Sequence, residues 1–456
     1  MLPETHAGSE GASCPSLKWL RWGCFLFLCI GLLFFHFRTL HSSHNWGDDF
    51  TIYTIAAERL VEGVPFSDPV AFSGEQKVEV GNSIGYPLVL TPIVALFGND
   101  CFHLKIPNIV CHVVAAVLIF AVSSMLTQSR VFPWIGFLFY GFFPYFNRFQ
   151  NVIGPDLLSI ATLLVLVGLV LVEPGEDRRK SIARYLLLSV VFAFHLLVRR
   201  QAWSIAPVIL GWALWKSLPS ARVDRWKGLI GVGLAFGVFA LLFGGILIER
   251  IDYFWDGENL SSERIGARFE AYAGAVPRFF YQFSLNRTVT SIETGVWAFL
   301  SLFGLLSKIR DRGFGFLEFV LLFYLVPPFL FAASQQERYI LPVFALSMIY
   351  LVTGLDSLFR FFWPSRLSVA FMGICFLLIF VWPGYNASKY YYHSLSKTTL
   401  NGPYDEVASE LFEFSSENLE EDAEVLFFKP RAFHLFTGRV GWASMAKGMT
   451  AQQFEK

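Results

Sequence analysis

Two carboxylates stand side by side, Asp48 and Asp49, in HNWGDDFTIY, just after the first strongly apolar stretch of the chain. A carboxylate at a membrane surface can act as a general base, taking the proton of an acceptor hydroxyl as that oxygen attacks carbon, for about 10²–10⁴ in rate. A plainer role is also open. Asp49 precedes the helix-like TIYTIAAERLVEG, where an acid would satisfy free N–H groups at the positive end of the helix dipole for roughly 1 kcal/mol. A carboxylate has lone pairs enough for both. Asp156, in NVIGPDLLSI, opens a second apolar stretch after Pro155 and carries the same two readings.

The elements that must position these acids are membrane spans. Of 456 residues, 54% are hydrophobic, 17% aromatic and only 16% charged, against about 25% charged in an ordinary soluble domain. Apolar runs bounded by charge, Pro or Gly predict eleven spans near 20–40, 104–126, 131–147, 155–172, 184–198, 203–217, 228–248, 292–307, 314–333, 339–355 and 367–385. YPLVLTPIVALFG, interrupted by Pro87 and Pro92, is too short to span and reads as an interfacial or re-entrant helix. Lys18 and Arg21 before the first run imitate a signal peptide, but no small-residue cleavage site follows, so the span is expected to stay. Six cysteines show neither disulfide nor metal spacing, and 36 basic against 36 acidic residues give no reason to expect nucleic acid.

Short basic loops stay in the cytoplasm. With residues 1–18 as a cytoplasmic tail, every inside loop carries Arg or Lys, as in Arg178, Arg179, Lys180 and Arg184, and the eleven spans of 19–385 place 386–456 outside. Two long outer loops, 41–103 and 249–291, favour extracytoplasmic chemistry. In the first, Thr51, Thr54, Glu58 and Glu62 form a polar stripe on a helix expected to lie flat on the membrane. The tail, PYDEVASELFEFSSENLEEDAEVLFFKPRAFHLFTGR, predicts a small α/β appendage built from an acidic amphipathic helix, a strand and a further helical turn.

The ordered set DFTIYTIAAERLVEG, GYPLVLTPIVALFG and ERYILPVFALSMIYL, with the outer segment AEVLFFKPRAFHLFTGR, resembles the GT-C superfamily of polyprenyl-phosphate-sugar-dependent glycosyltransferases. Within it the chain is most similar to the bacterial branch of protein O-mannosyltransferases and lipopolysaccharide-decorating transferases. That resemblance implies an all-α multi-pass protein of the inner (plasma) membrane. It also implies a lipid-phosphate-linked sugar donor, a glycolipid, polysaccharide or protein acceptor, and inversion in a single displacement. It puts Asp49 in the reacting position, Asp48 beside it as a substitute, and Asp156 as the second acid. The pair here is Asp-Asp where the family more often has Asp-Glu.

A departing lipid phosphate needs fixed cations at headgroup level. Arg199 and Arg200 in HLLVRRQAW, Arg338 and Lys105 stand at outer span ends, although each alone could be a snorkelling anchor. No metal-ligand spacing occurs; a divalent ion shared by Asp49, Asp156 and the donor phosphate is the metal arrangement these residues allow. His112, His195 and Glu318 lie inside spans, as partnered structural groups or as relays of a proton-coupled transporter. A flippase of lipid-linked saccharides should show broken helices and two similar halves, and neither is evident. An O-antigen ligase or polymerase would lack the early acid-Tyr-Ala-Ala-Leu-Gly segment.

Overall fold

The computed structural model describes residues 15–47, 49–64, 70–71, 77–78, 84–172, 178–217, 262–277, 287–325, 336–362, 373, 385, 388–389 and 401–443. Asp48, the expected span 228–248 and nearly all of 367–385 lie outside the described residues.

The described chain is mainly helical. The first helix, α1 (Pro15–Arg38), leads to α2 (Asp49–Glu62), a two-residue antiparallel pair β1 (Val70–Ala71) and β2 (Lys77–Val78), then α3 (Gly85–Phe97) and α4 (Cys101–Leu126). After these come α5 (Phe132–Phe142), α6 (Pro144–Gln150), α7 (Asp156–Leu171), α8 (Arg178–Val198), a 3₁₀ turn Arg200–Ile205 and α9 (Ala206–Ser217). Beyond the next gap lie α10 (Ser262–Ala275), α11 (Arg287–Arg312), α12 (Phe316–Leu325), a 3₁₀ turn Gln336–Tyr339 and α13 (Leu341–Phe362). The last described unit is α14 (Glu406–Asn418), β3 (Glu424–Phe427), α15 (Pro430–Thr437) and β4 (Val440–Ala443), with β3 and β4 parallel and Glu424 opposite Val440.

Three stretches among the described residues are long and apolar enough to cross a membrane: α4, Ser291–Arg312 within α11, and α13. On α1, Trp22, Leu26, Phe27, Ile30 and Phe34 are all exposed, an apolar stripe that water would not tolerate and lipid would. The central packing places α4 against α5 and α7, and α13 against α5 and α11. Where α11 crosses α13, a Cβ on Gly304 would strike the Tyr350 carbonyl and one on Gly354 would strike the Leu300 carbonyl. Only glycine lets the two backbones meet there, as small residues do between membrane helices.

Two expectations are corrected. The span expected at 131–147 is broken: Phe143 is extended (φ −73°, ψ 118°) and α6 restarts at Pro144, because a proline drives the residue before it out of the helical region. In α2 the Thr51 and Thr54 side chains do not face solvent but are buried, Thr54 Oγ1 donating to the Phe50 carbonyl at 2.9 Å. Here α2 is packed between α3 and the C-terminal α15, so tertiary packing overrides the amphipathic pattern.

The three ionisable groups expected inside spans, His112, His195 and Glu318, each have a hydrogen-bond partner. The His195 ring is hydrogen-bonded to the Thr162 hydroxyl at 2.7 Å and the Tyr324 hydroxyl at 2.5 Å. His112 lies 4.5 Å from the His36 ring and its Nε2 is 3.2 Å from the Gly141 carbonyl. Glu318 accepts from Lys308 Nζ at 2.5 Å, from Gly315 N at 2.8 Å and from the Tyr350 hydroxyl at 2.7 Å.

Candidate active site

Asp49 is the first residue of α2, so the capping position falls on Asp48, outside the described residues. Its side chain is half exposed and its Oδ2 accepts from Arg338 Nη1 at 2.5 Å. Asp156 is likewise the first residue of α7, but only 3% of its side chain is exposed. Its Oδ1 meets Arg199 Nη2 at 2.7 Å and its Oδ2 meets Arg338 Nη2 at 3.0 Å. Arg338 thus bridges the two acids. Its guanidinium is held charged, above its ordinary range, first by the Asp156 charge and further by Asp49.

Each side chain is placed by a different element. The 3₁₀ turn Gln336–Tyr339 leads into α13 and carries Arg338, whose carbonyl accepts from Arg199 Nη1 at 2.9 Å. Arg199, extended between α8 and its 3₁₀ turn, also lays its guanidinium 5.4 Å from the Tyr339 ring. Gln201 Nε2 donates to the carbonyls of Tyr324 and Tyr339 at 3.2 and 2.7 Å, which fixes the same turn. Tyr53, one helical turn beyond Asp49, packs edge-on against Tyr86 at 5.4 Å. Burial, offset in part by Arg338, pushes its hydroxyl up to about 12, so it remains a neutral donor among these charges.

A hydrogen-bond lattice fastens the loop before Asp49 to the turn before Asp156. Asn151 Oδ1 accepts from His41 N at 2.8 Å while its Nδ2 donates to the Thr39 carbonyl at 3.1 Å. The Ile153 N–H donates to His44 Nε2 at 3.2 Å, and His44 Nδ1 donates to the Asn45 carbonyl at 2.7 Å. That pairing requires the neutral imidazole, and burial lowers the His44 pKa to about 4. Asn108 Nδ2 donates to the Val152 carbonyl at 2.6 Å and its Oδ1 accepts from the Tyr86 hydroxyl at 3.2 Å.

Lys105 belongs to this lattice. It is fully buried, and Nζ donates to the carbonyls of His41 and Ser43 at 2.8 and 2.6 Å. Its ammonium is turned to the loop backbone, where the sequence reading expected it to face a donor phosphate; a buried ammonium takes whatever acceptors the fold presents, and here those are two carbonyls. Asp49, Asp156, Arg199 and Arg338 are brought together. Arg200 opens the 3₁₀ turn, and its side chain lies outside the described residues. The sequence reading gave no role to His44, Tyr86, Asn108, Asn151 and Gln201, although all but Asn108 stand in the segments quoted for the acids, the arginines and the family resemblance.

The C-terminal unit covers the same loop. Trp46 Nε1 donates to Asn401 Oδ1 at 2.7 Å, its ring packs on Phe412, Phe427 and Phe428, and Phe50 meets Tyr404 at 6.1 Å. A Cβ on Gly402 would collide with the His44 carbonyl, so glycine permits this close approach.

A divalent ion between Asp49 and Asp156 does not fit this arrangement. The Arg338 guanidinium occupies the bridging position, both Asp156 oxygens are paired with arginine, and among the described residues no three His, Cys, Asp or Glu side chains form a metal-binding group.

Comparison with known proteins agrees with this architecture. Residues 82–243 match the model of the dolichyl-phosphate-mannose-protein mannosyltransferase family. The fold is similar to the oligosaccharyltransferase AglB of Archaeoglobus fulgidus, solved with an inhibitory peptide and a dolichol-phosphate: TM-score 0.63, 13% identity, 94% of this chain and 65% of that one. It is also similar to ArnT of Cupriavidus metallidurans bound to undecaprenyl phosphate: TM-score 0.61, 11% identity, 93% of this chain and 86% of that one. The chain shares the fold of these two structures. No curated protein sequence matches it significantly. It is mostly helical with several apolar helices, and it spans less than two thirds of the length of the archaeal oligosaccharyltransferase.

Proposed function

We propose that this protein transfers a sugar from a polyprenyl-phosphate donor to a hydroxyl-bearing acceptor at the extracytoplasmic face of the membrane. The observation that carries the reading is the bridge: Arg338 joins a half-exposed Asp49, at the start of α2, to a buried Asp156, at the start of the apolar α7. Solved GT-C structures of similar fold hold dolichol-phosphate or undecaprenyl phosphate, which supports a donor of that class.

In this reading the donor phosphate draws Arg338 away from Asp49, and the carboxylate so released takes the proton of the acceptor hydroxyl. The acceptor oxygen bonds to the anomeric carbon from the face opposite the phosphate. The carbon–oxygen bond to phosphate breaks, and its electron pair leaves on the polyprenyl phosphate. Arg338 receives that charge, while Asp156 and Arg199 hold Arg338 in reach. Eleven spans, a cytoplasmic N-terminus and an outer position for 386–456 complete the proposal, with the acceptor entering beneath the outer loops.

The test is mass analysis of lipid-linked sugars and surface glycans in a deletion strain carrying the wild type, Asp49→Asn or Asp49→Glu. Asp49→Asn should lower product by at least about 10² and let donor accumulate. Wild-type product with Asp49→Asn would remove Asp49 from the chemistry.

A further inference from the structure

A cavity lies between α1, α4 and α5, at the end of α1 away from the Asp49 loop. It has a volume of about 720 Å³ and is lined by Trp22, Phe25, Phe120 and Trp134 on the helices, together with Ser124 and the loop 127–131 that carries Arg130. Sixteen residues of α1 separate Trp22 from Arg38 near the catalytic loop, roughly 24 Å at the helical rise per residue. It is therefore separate from the Asp49 site.

The walls form one aromatic cluster: Phe25 lies 5.1 Å from Phe120 and 5.5 Å from Trp134, and Phe120 lies 4.7 Å from Trp134. The cluster runs on into the exposed apolar stripe of α1, where Trp22, Leu26 and Phe27 are 68%, 61% and 74% exposed. At the rim Arg130 is exposed, and no hydrogen bond or ion pair among the described residues uses it. The nearby carboxylate is already occupied: Asp356 accepts from Gln128 N and Ser129 N, each at 3.2 Å, and from Arg360 Nε at 3.3 Å. An unpaired guanidinium thus stands over an aromatic recess that opens to the lipid-facing side of α1.

We infer that this recess binds an anionic glycerophospholipid of the leaflet at that end, its phosphate on Arg130 and its upper acyl chain against Phe25, Phe120 and Trp134. Charge complementarity selects the headgroup. The aromatic walls select a lipid over a free anion, since a hydrated ion gains nothing from burying them. Such a lipid anchors α1 to the α4–α5 hairpin from outside the catalytic end.

The test uses the full chain, delipidated in detergent and titrated with phosphatidylglycerol, phosphatidylcholine or inorganic phosphate, with bound lipid counted by native mass spectrometry. One phosphatidylglycerol should be retained about five-fold more tightly than phosphatidylcholine. Arg130→Gln should erase that preference, and Ser124→Trp, which fills the recess, should reduce retention of both lipids. Arg312→Gln, at a guanidinium already bonded to the Met125 carbonyl at 2.9 Å, should leave the preference intact. Equal retention of the two lipids by the wild type, an unchanged preference in Arg130→Gln, or displacement of the lipid by inorganic phosphate would overturn the inference.

Discussion

Among the described residues, the charge clusters around Glu318 and around Arg338 are built differently. Around Glu318, every carboxylate oxygen is filled: Oε2 by Lys308 and Gly315 N, Oε1 by the Tyr350 hydroxyl, with side-chain exposures of 1% for Glu318 and 9% for Lys308. Around Arg338, one guanidinium is shared by two acids, and 52% of the Asp49 side chain and 23% of Arg338 face outward. Burial of charge inside a membrane protein is therefore not by itself a sign of chemistry. A sealed, saturated pair fastens helices α11, α12 and α13, whereas a shared pair with an open side can exchange one partner for a ligand.

The comparison can be broken by four measurements. Glu318→Ala leaves Lys308 buried without its acid and should destabilise the protein by about 3–5 kcal/mol in thermal or denaturant unfolding, with turnover per folded molecule unchanged. A loss of turnover at full stability would mean that Glu318 does chemistry. Arg338→Gln should do the reverse, lowering transfer by about 10² with a smaller change in stability; near-normal turnover would assign the phosphate to other cations.

His44 gives a pH-dependent test of the lattice that holds the Asp49 loop. Its folded pKa is about 4, below the ordinary 6.5 of an unfolded histidine, so the open form binds more protons between those values. The lattice is at full strength above pH 6.5 and weakens as pH falls toward 4. Hydrogen-exchange protection at 41–47, corrected for intrinsic rate, should drop about twenty-fold between pH 7 and 5. In His44→Gln the profile should be flat; an unchanged slope would place the titrating group elsewhere. The smallest effect is expected of Lys308→Met combined with Glu318→Met: an apolar pair of similar volume should match the wild type within about 1 kcal/mol. Strong destabilisation of that double variant would show that the sealed cluster supplies more than fastening.

Local patterns were legible where they depend on neighbours in the chain. The apolar run of α4 places that helix to within a few residues, that of α13 places its start but ends seven residues short, and both site acids were marked by standing at the start of a helix. The same local reasoning failed at Phe143–Pro144, where hydropathy outweighed the proline, and at Thr51 and Thr54, which α3 and the C-terminal unit cover. Lys105 carried the right charge in the right neighbourhood, yet its ammonium points to loop carbonyls.

By itself the sequence determined that the chain is a helical membrane protein and that Asp49 and Asp156 begin helices, because hydropathy and helix termini are properties of a few adjacent residues. Only the tertiary structure decided which cation meets which acid. Arg338 lies 289 positions from Asp49 and 182 from Asp156, and no local preference encodes a pairing across that distance. Helix packing brings the three together, and with them the difference between a sealed ion pair and one with an open side.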